Sequence, residues 1–158
     1  AQMYRKWAEL GKLELTDGDV IDHAQIKADF LEWISGENLK ETGFDPWSAT
    51  QFSLALAEEG VPLVEVPQTV RNFSESMKEV VYGGRFHHSN HPVMNWMMSN
   101  VTVRPDKNDN IFPNKSTPEA KIDGPAALFT AMSRMLVNGG EQQDSLSDHL
   151  ESYGVRSL

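Results

Sequence analysis

The chain has 158 residues, 23 acidic against 14 basic side chains, a formal net charge of −9 and no cysteine. A chain of this length, 39% apolar and 23% charged, suits one folded domain with room for a core and does not have the composition of a disordered chain. The missing cysteines exclude disulfide frameworks, zinc knuckles, iron–sulfur ligation and thiol nucleophiles, and the acidic balance argues against wrapping nucleic acid by charge alone while leaving room for an acidic metal site.

Residues 1–12 carry Tyr4, Trp7 and Leu10 at helical spacing and stop at Gly11. Leu13 and Leu15 alternate with Glu14, a short strand signal cut off by the turn-prone Thr16 to Asp19. Asp22 is placed to cap a helix, with Gln25 closing a capping box, and Ile26, Phe30, Trp33 and Ile34 give that helix an apolar stripe before Gly36. Leu39 to Phe44 reads as a strand that Pro46 must end, since proline cannot continue a ladder. Ser48 with Gln51 is a second capping box. Phe52, Ala55 and Leu56 then share a face up to Gly60, and Val61 to Val66 is a second strand. A strand, a short helix and a strand imply parallel neighbours joined by a right-handed crossover.

Ser74 to Val81 predicts a short helix ending at Gly83 and Gly84, followed by an irregular stretch with His87 and His88. Asn90 can cap a helix entered through Pro92, with Val93, Trp96 and Met97 inward. Val101 to Arg104, a polar turn over Asp106 to Asn110, and Ile111-Phe112 predict a hairpin. Ile122 to Val137 predicts the longest helix, with Ala127, Leu128, Ala131, Met132, Met135 and Leu136 as its buried face. Residues 141–158 read as a polar, mobile tail. No apolar run reaches the roughly 18 residues of a membrane span, no signal pattern opens the chain, and a start at Ala1 points to a fragment or a processed product.

There is no phosphate-loop pattern, no dinucleotide glycine fingerprint and no nucleophile elbow, so phosphate cradles and a hydrolase serine have no support. His87, His88 and His91 resemble a ligand cluster, but without a regular helical frame across Pro92 they read better as a polar loop near a site. Two aspartates stand out. Asp45 follows a predicted strand at its carboxyl end, where α/β folds place functional groups, and Asp123 lies in the first turn of the last helix. Each also has a plain reading, as a turn residue before proline and as a partner of the helix dipole. As a pair they suggest a carboxylate site for Mg²⁺ or Mn²⁺, because hard divalent ions prefer oxygen ligands. Two carboxylates hold two ions poorly, so a third acid is expected.

At these residues the chain resembles the C-terminal nuclease domain of the tailed-phage (prophage) terminase large subunit. The resemblance rests on Gly43 to Trp47, Val66 to Gln68, the block from His91 to Val101, and Lys115 followed by Lys121 to Gly124, in order over most of the chain. It implies a ribonuclease H-like mixed sheet flanked by helices over residues 1–140, and a metal-dependent endonuclease that cuts concatemeric viral DNA through water activated by a divalent ion. Carried over by position, Asp45 matches the carboxylate at the end of the family's fourth strand and Asp123 the one on its closing helix. The family's first catalytic Asp lies on an opening strand with no counterpart here. The chain is therefore expected to lack its first strands and, with them, the complete two-metal site, so that the fragment alone is expected to be inactive.

The resemblance further implies double-stranded DNA, the terminase small subunit, the portal protein and the N-terminal ATPase domain of the same subunit as partners, and work at the procapsid portal in the host bacterial cytoplasm. Arg104, Lys107, Lys115 and Lys121, around the hairpin and the start of the last helix, are the candidate DNA contacts, unless they are solvated rim charges. Arg71, Lys78 and Arg85 are less well placed, and Trp47 and Trp96 read as core rather than base-stacking residues. Against the nuclease reading stand a non-catalytic docking or DNA-channel module of the packaging motor, and a resolvase or transposase relative.

Overall fold

A computed structural model describes residues 2–16, 18, 20–47, 50–83, 87–108 and 110–138. Ser48 and the tail fall outside the described residues. The elements run α1 (Gln2–Glu9), α2 (His23–Ile34), β1 (Thr42–Phe44), α3 (Thr50–Glu58), β2 (Leu63–Glu65), α4 (Val70–Tyr82), α5 (Pro92–Ser99), β3 (Val101–Pro105), β4 (Ile111–Lys115) and α6 (Asp123–Asn138). Parallel and antiparallel pairing both occur, divided among the described residues between two sheets of two strands.

β1 and β2 are parallel, with Thr42 opposite Leu63, Gly43 opposite Val64 and Phe44 opposite Glu65. The crossover through α3 stops sharply because Gly60, at φ +80, takes a left-handed conformation that lets Gly60 and Val61 donate back to Ala57 and Leu56. Val61 and Leu56 are both buried at that junction, so the helix stop and the entry to β2 share one apolar contact. β3 and β4 form the expected hairpin, Val101 opposite Lys115 and Pro105 opposite Ile111. Its turn is tied by Asp106, whose carboxylate accepts from the Asn108 and Asn110 backbone and the Asn110 side chain. These donors hold the Asp106 carboxyl below its ordinary range, the Asn110 side chain contributing most.

The core lies between α4, α6 and the hairpin. Phe73, Met77 and Phe129 are buried there against Met98, Val101, Ile111 and Phe112, with Phe73 stacked on Phe112 at 5.6 Å between ring centres. Ser74, also buried, accepts the Ile111 N–H at 3.1 Å, so the polar group inside this cluster is satisfied.

Several sequence expectations need correction. Leu13 to Leu15 forms no strand, and Leu15 is exposed; alternation alone supplies no partner edge. The Leu39 strand is shortened to Thr42–Phe44, and the Ser74 helix begins earlier, at Val70. Asp22 caps α2 as expected, accepting from Ala24 and Gln25, but the Gln25 side chain donates to Asp29 and leaves the capping box open. The α2 stripe is not core: Ile26 and Trp33 are exposed, the latter edge-on to Phe30 at 6.0 Å. α5 is capped at His91, not Asn90, which instead adopts φ 58 and accepts from Asn95.

The face of α6 is also turned from the expected one. Pro125, Phe129, Thr130 and Met132 are buried, whereas Ala127, Ala131, Met135 and Leu136 are exposed. Thr130 can go inside because its hydroxyl donates to the Ala126 carbonyl at 2.9 Å.

Candidate active site

β1 is a strand of three residues whose middle position is glycine. A Cβ on Gly43 would stand 3.0 Å from Thr130 Cγ2 and 3.1 Å from Val66 Cγ2, so α6 crosses β1 at the closest approach the backbone allows. One end of this crossing is fixed by Glu41, which accepts from Arg134 Nε at 2.7 Å, from Arg134 Nη2 at 3.0 Å and from Asn138 at 2.9 Å. The forked pair holds the Glu41 carboxyl below its ordinary value against the opposing effect of burial.

These contacts set a direction. Asn138 and Arg134 meet Glu41, and Thr130 meets Gly43 two residues later. α6 therefore runs antiparallel to β1, and its first turn, with Asp123, points to the carboxyl end of β1, where Asp45 stands. Gly43 faces α6, and Phe44 lies on the other side toward α3. The two aspartates singled out in the sequence are thus placed at one end of the β1–α6 pair. Glu65, at the end of the neighbouring parallel strand, lines a cavity of about 330 Å³ with Phe44 and the α3 residues Ser53, Leu54 and Ala57.

Each carboxylate has its own mount. Asp45 Oδ1 accepts the Trp47 N–H at 3.2 Å across Pro46, closing a tight turn at the strand end. The α6 start is held by α5: Gly124 N–H points at Met97 Sδ, 3.3 Å away, and a Cβ there would meet the Met97 and Met94 sulfurs at 3.0 and 3.1 Å. Asn100, the C-cap of α5, donates to the Lys121 carbonyl at 3.0 Å and fixes the chain just before Asp123. α1 braces α5 from outside, with Tyr4, Trp7 and half-buried Trp96 in mutual ring contact at 5.4–5.8 Å.

The carboxylate oxygens are the donor type a hard divalent ion takes, but among the described residues no three carboxylate or imidazole groups gather. Asp45 and Asp123 can therefore supply two ligand groups and not a closed set. His88 lies on the irregular stretch and accepts the Asn90 N–H at 3.1 Å, while His91 caps α5 one turn before Met94.

Of the four candidate cations, all exposed, Lys115 and Lys121 lie at the open end of the hairpin, next to Asn100. Arg104 and Lys107 lie at its far end, with Arg104 three ladder positions on, about 10 Å away. Trp47, expected in the core, is 91% exposed. Sequence reasoning also missed Glu41 and Arg134, 93 residues apart with no local signal, whereas a glycine inside a strand was a readable sign of close packing at Gly43.

A mixed α/β domain whose last helix packs across a parallel strand pair is the setting of these residues. A sequence model of the terminase large subunit endonuclease domain matches residues 1–139, and the chain belongs to that family. It is 39% identical to Protein YmfN of Escherichia coli (strain K12) over its whole length, covering 35% of that protein. The crystal structure of the HK97 bacteriophage large terminase superposes with a TM-score of 0.72 and 27% identity, over 84% of this chain and 30% of that one. The fold is the ribonuclease H-like α/β type of phage terminase nuclease domains. The chain spans about a third of the length of these two relatives. No helix among the described residues is long and apolar enough to cross a membrane.

Proposed function

We propose that this chain is the divalent-metal-dependent DNA endonuclease part of a phage packaging terminase, and that Asp45 and Asp123 carry its site. The observation behind this reading is the antiparallel run of α6 along β1, which brings both carboxylates to one end of the pair. Asp45 and Asp123 would hold Mg²⁺ or Mn²⁺ through their oxygens, and a third carboxylate, which in the family lies on an opening strand, would complete the set. The bound ions supply Lewis-acid polarisation of a phosphodiester and activation of water.

The chain's own residues orient the parts. The Trp47 N–H fixes the Asp45 carboxylate, and the Met97 and Asn100 contacts fix the start of α6 and so Asp123. Lys115 and Lys121 meet the DNA backbone beside the site, with Arg104 and Lys107 meeting it further along the hairpin. His88 and His91 border the same region as loop residues. In this reading the physiological substrate is concatemeric double-stranded viral DNA. The small subunit, the portal and an ATPase domain are partners, at the procapsid in the host cytoplasm.

The experiment is cleavage of supercoiled plasmid by the full-length protein in Mn²⁺. Wild type is expected to nick and linearise it, while Asp45→Asn or Asp123→Asn lowers the rate at least about a hundredfold, in line with loss of a metal ligand or its support. Rates unchanged in both variants would sink the assignment. Calorimetric Mn²⁺ titration gives a second readout, with affinity expected to fall in both variants.

A further inference from the structure

We propose that the indole of Trp47 is a stacking platform for an unpaired nucleobase of the DNA strand held at Asp45, an inference that rests on the nuclease reading above. The four tryptophans of the chain differ sharply. Trp7 and Trp96 are half-buried against each other, and Trp33, though 75% exposed, lies edge-on to Phe30. Trp47 is 91% exposed, two residues past Asp45. Tryptophan offers a large, rigid aromatic face that can pack against a ligand.

Three features tie the ring to the chemistry. Its own N–H grips Asp45 Oδ1 at 3.2 Å, so ring and carboxylate move as one turn. Pro46 between them fixes one backbone torsion, limiting how far the ring can swing. Two residues of chain span at most about 7 Å, a reach that covers the bases flanking a phosphate placed at Asp45. Beside the turn, on the α3 side of β1, Pro46, Phe44, Leu63 and the 61% exposed Leu54 line the cavity of about 330 Å³ together with Ser53, Ala57 and Glu65.

Stacking also suits the charge of this molecule. A chain with net charge −9 has few cations to offer a polyanion, and base–aromatic stacking attracts nucleic acid without them. Because a base inside a duplex has both faces covered by its stacked neighbours, the platform selects DNA with a locally unstacked base, at an end, a nick or a distorted step.

The test measures binding of a labelled single-stranded oligonucleotide to the full-length protein by fluorescence anisotropy, in parallel with plasmid cleavage. Trp47→Ala is expected to weaken binding about tenfold, Trp47→Phe to recover most of it, and Trp33→Ala to leave it within about twofold, as loss of one stacked base predicts. Wild-type affinity in Trp47→Ala, or an equal loss in Trp33→Ala, overturns the inference. So does protection of Trp47 from acrylamide quenching in the free protein, which would place the ring under another part of the molecule. Asp45→Asn separates the two ideas, because an asparagine oxygen still accepts the Trp47 N–H. If that variant binds but does not cleave while Trp47→Ala binds normally, the stacking role falls and the nuclease reading stands. If it cleaves normally, the nuclease reading falls whatever Trp47 does.

Discussion

Glu41 and Arg134 carry the one forked ion pair among the described residues, and both side chains are largely shielded, at 19% and 27% exposure. Replacing Glu41 by Gln removes the charge but keeps an acceptor, so a loss of about 1–2 kcal/mol is expected, read from the urea midpoint. The pH dependence has a definite sign. Because the folded carboxyl titrates below its ordinary value of 4.5, its stabilisation is complete above that value and is lost as pH falls through the lower, folded one. Wild type and Glu41→Gln should therefore differ most near neutrality and converge in acid. A constant difference across that range would mean the charge contributes nothing.

At the level of elements, two glycines sit in equally close quarters with unequal neighbours. A methyl group at Gly43 meets Thr130 and Val66, β-branched side chains held stiffly by helix and strand. At Gly124 it meets the sulfurs of Met94 and Met97, the flexible ends of adaptable side chains. Gly43→Ala is expected to cost about 1–3 kcal/mol, as overpacking does, and to slow plasmid cleavage by prising α6 from β1. Gly124→Ala should cost less than half as much, since alanine also favours the helix. Thermal unfolding of the two variants side by side checks the contrast.

The same elements mark what the sequence could disclose. Turns, breakers and the Asp22 cap were legible, with Gly11, Gly60, Pro46 and the Asp106 turn ending or starting elements where their local chemistry requires, whereas the α5 cap fell at His91 and not at Asn90. Helix faces were not. α6 is apolar on two sides, and a threonine that bonds its own backbone goes inside while Met135 stays out, a choice made by β1 and α4. The proposed site residues Asp45 and Asp123 come from the sequence, but the brace between their two elements could not, because Glu41 and Arg134 meet only in three dimensions.

For the molecule as a whole, the separation of 93 residues between Glu41 and Arg134 is a statement about time. On a chain emerging from the ribosome, Asp45 is exposed to solvent well before Asp123 has been made. The two aspartates of the proposed site are brought to one end of the fold only when the last helix returns to the first strand. Such a distant closure must overcome loop entropy before its contacts repay it, which favours docking after the folding barrier. Arg134→Met is therefore expected to speed unfolding in stopped-flow urea experiments and leave the folding rate near that of wild type. A slowed folding limb would mean that α6 docks early. If docking is late, the β1–α6 pairing is the last part of this domain to exist and, in any partial unfolding, the first to be dismantled.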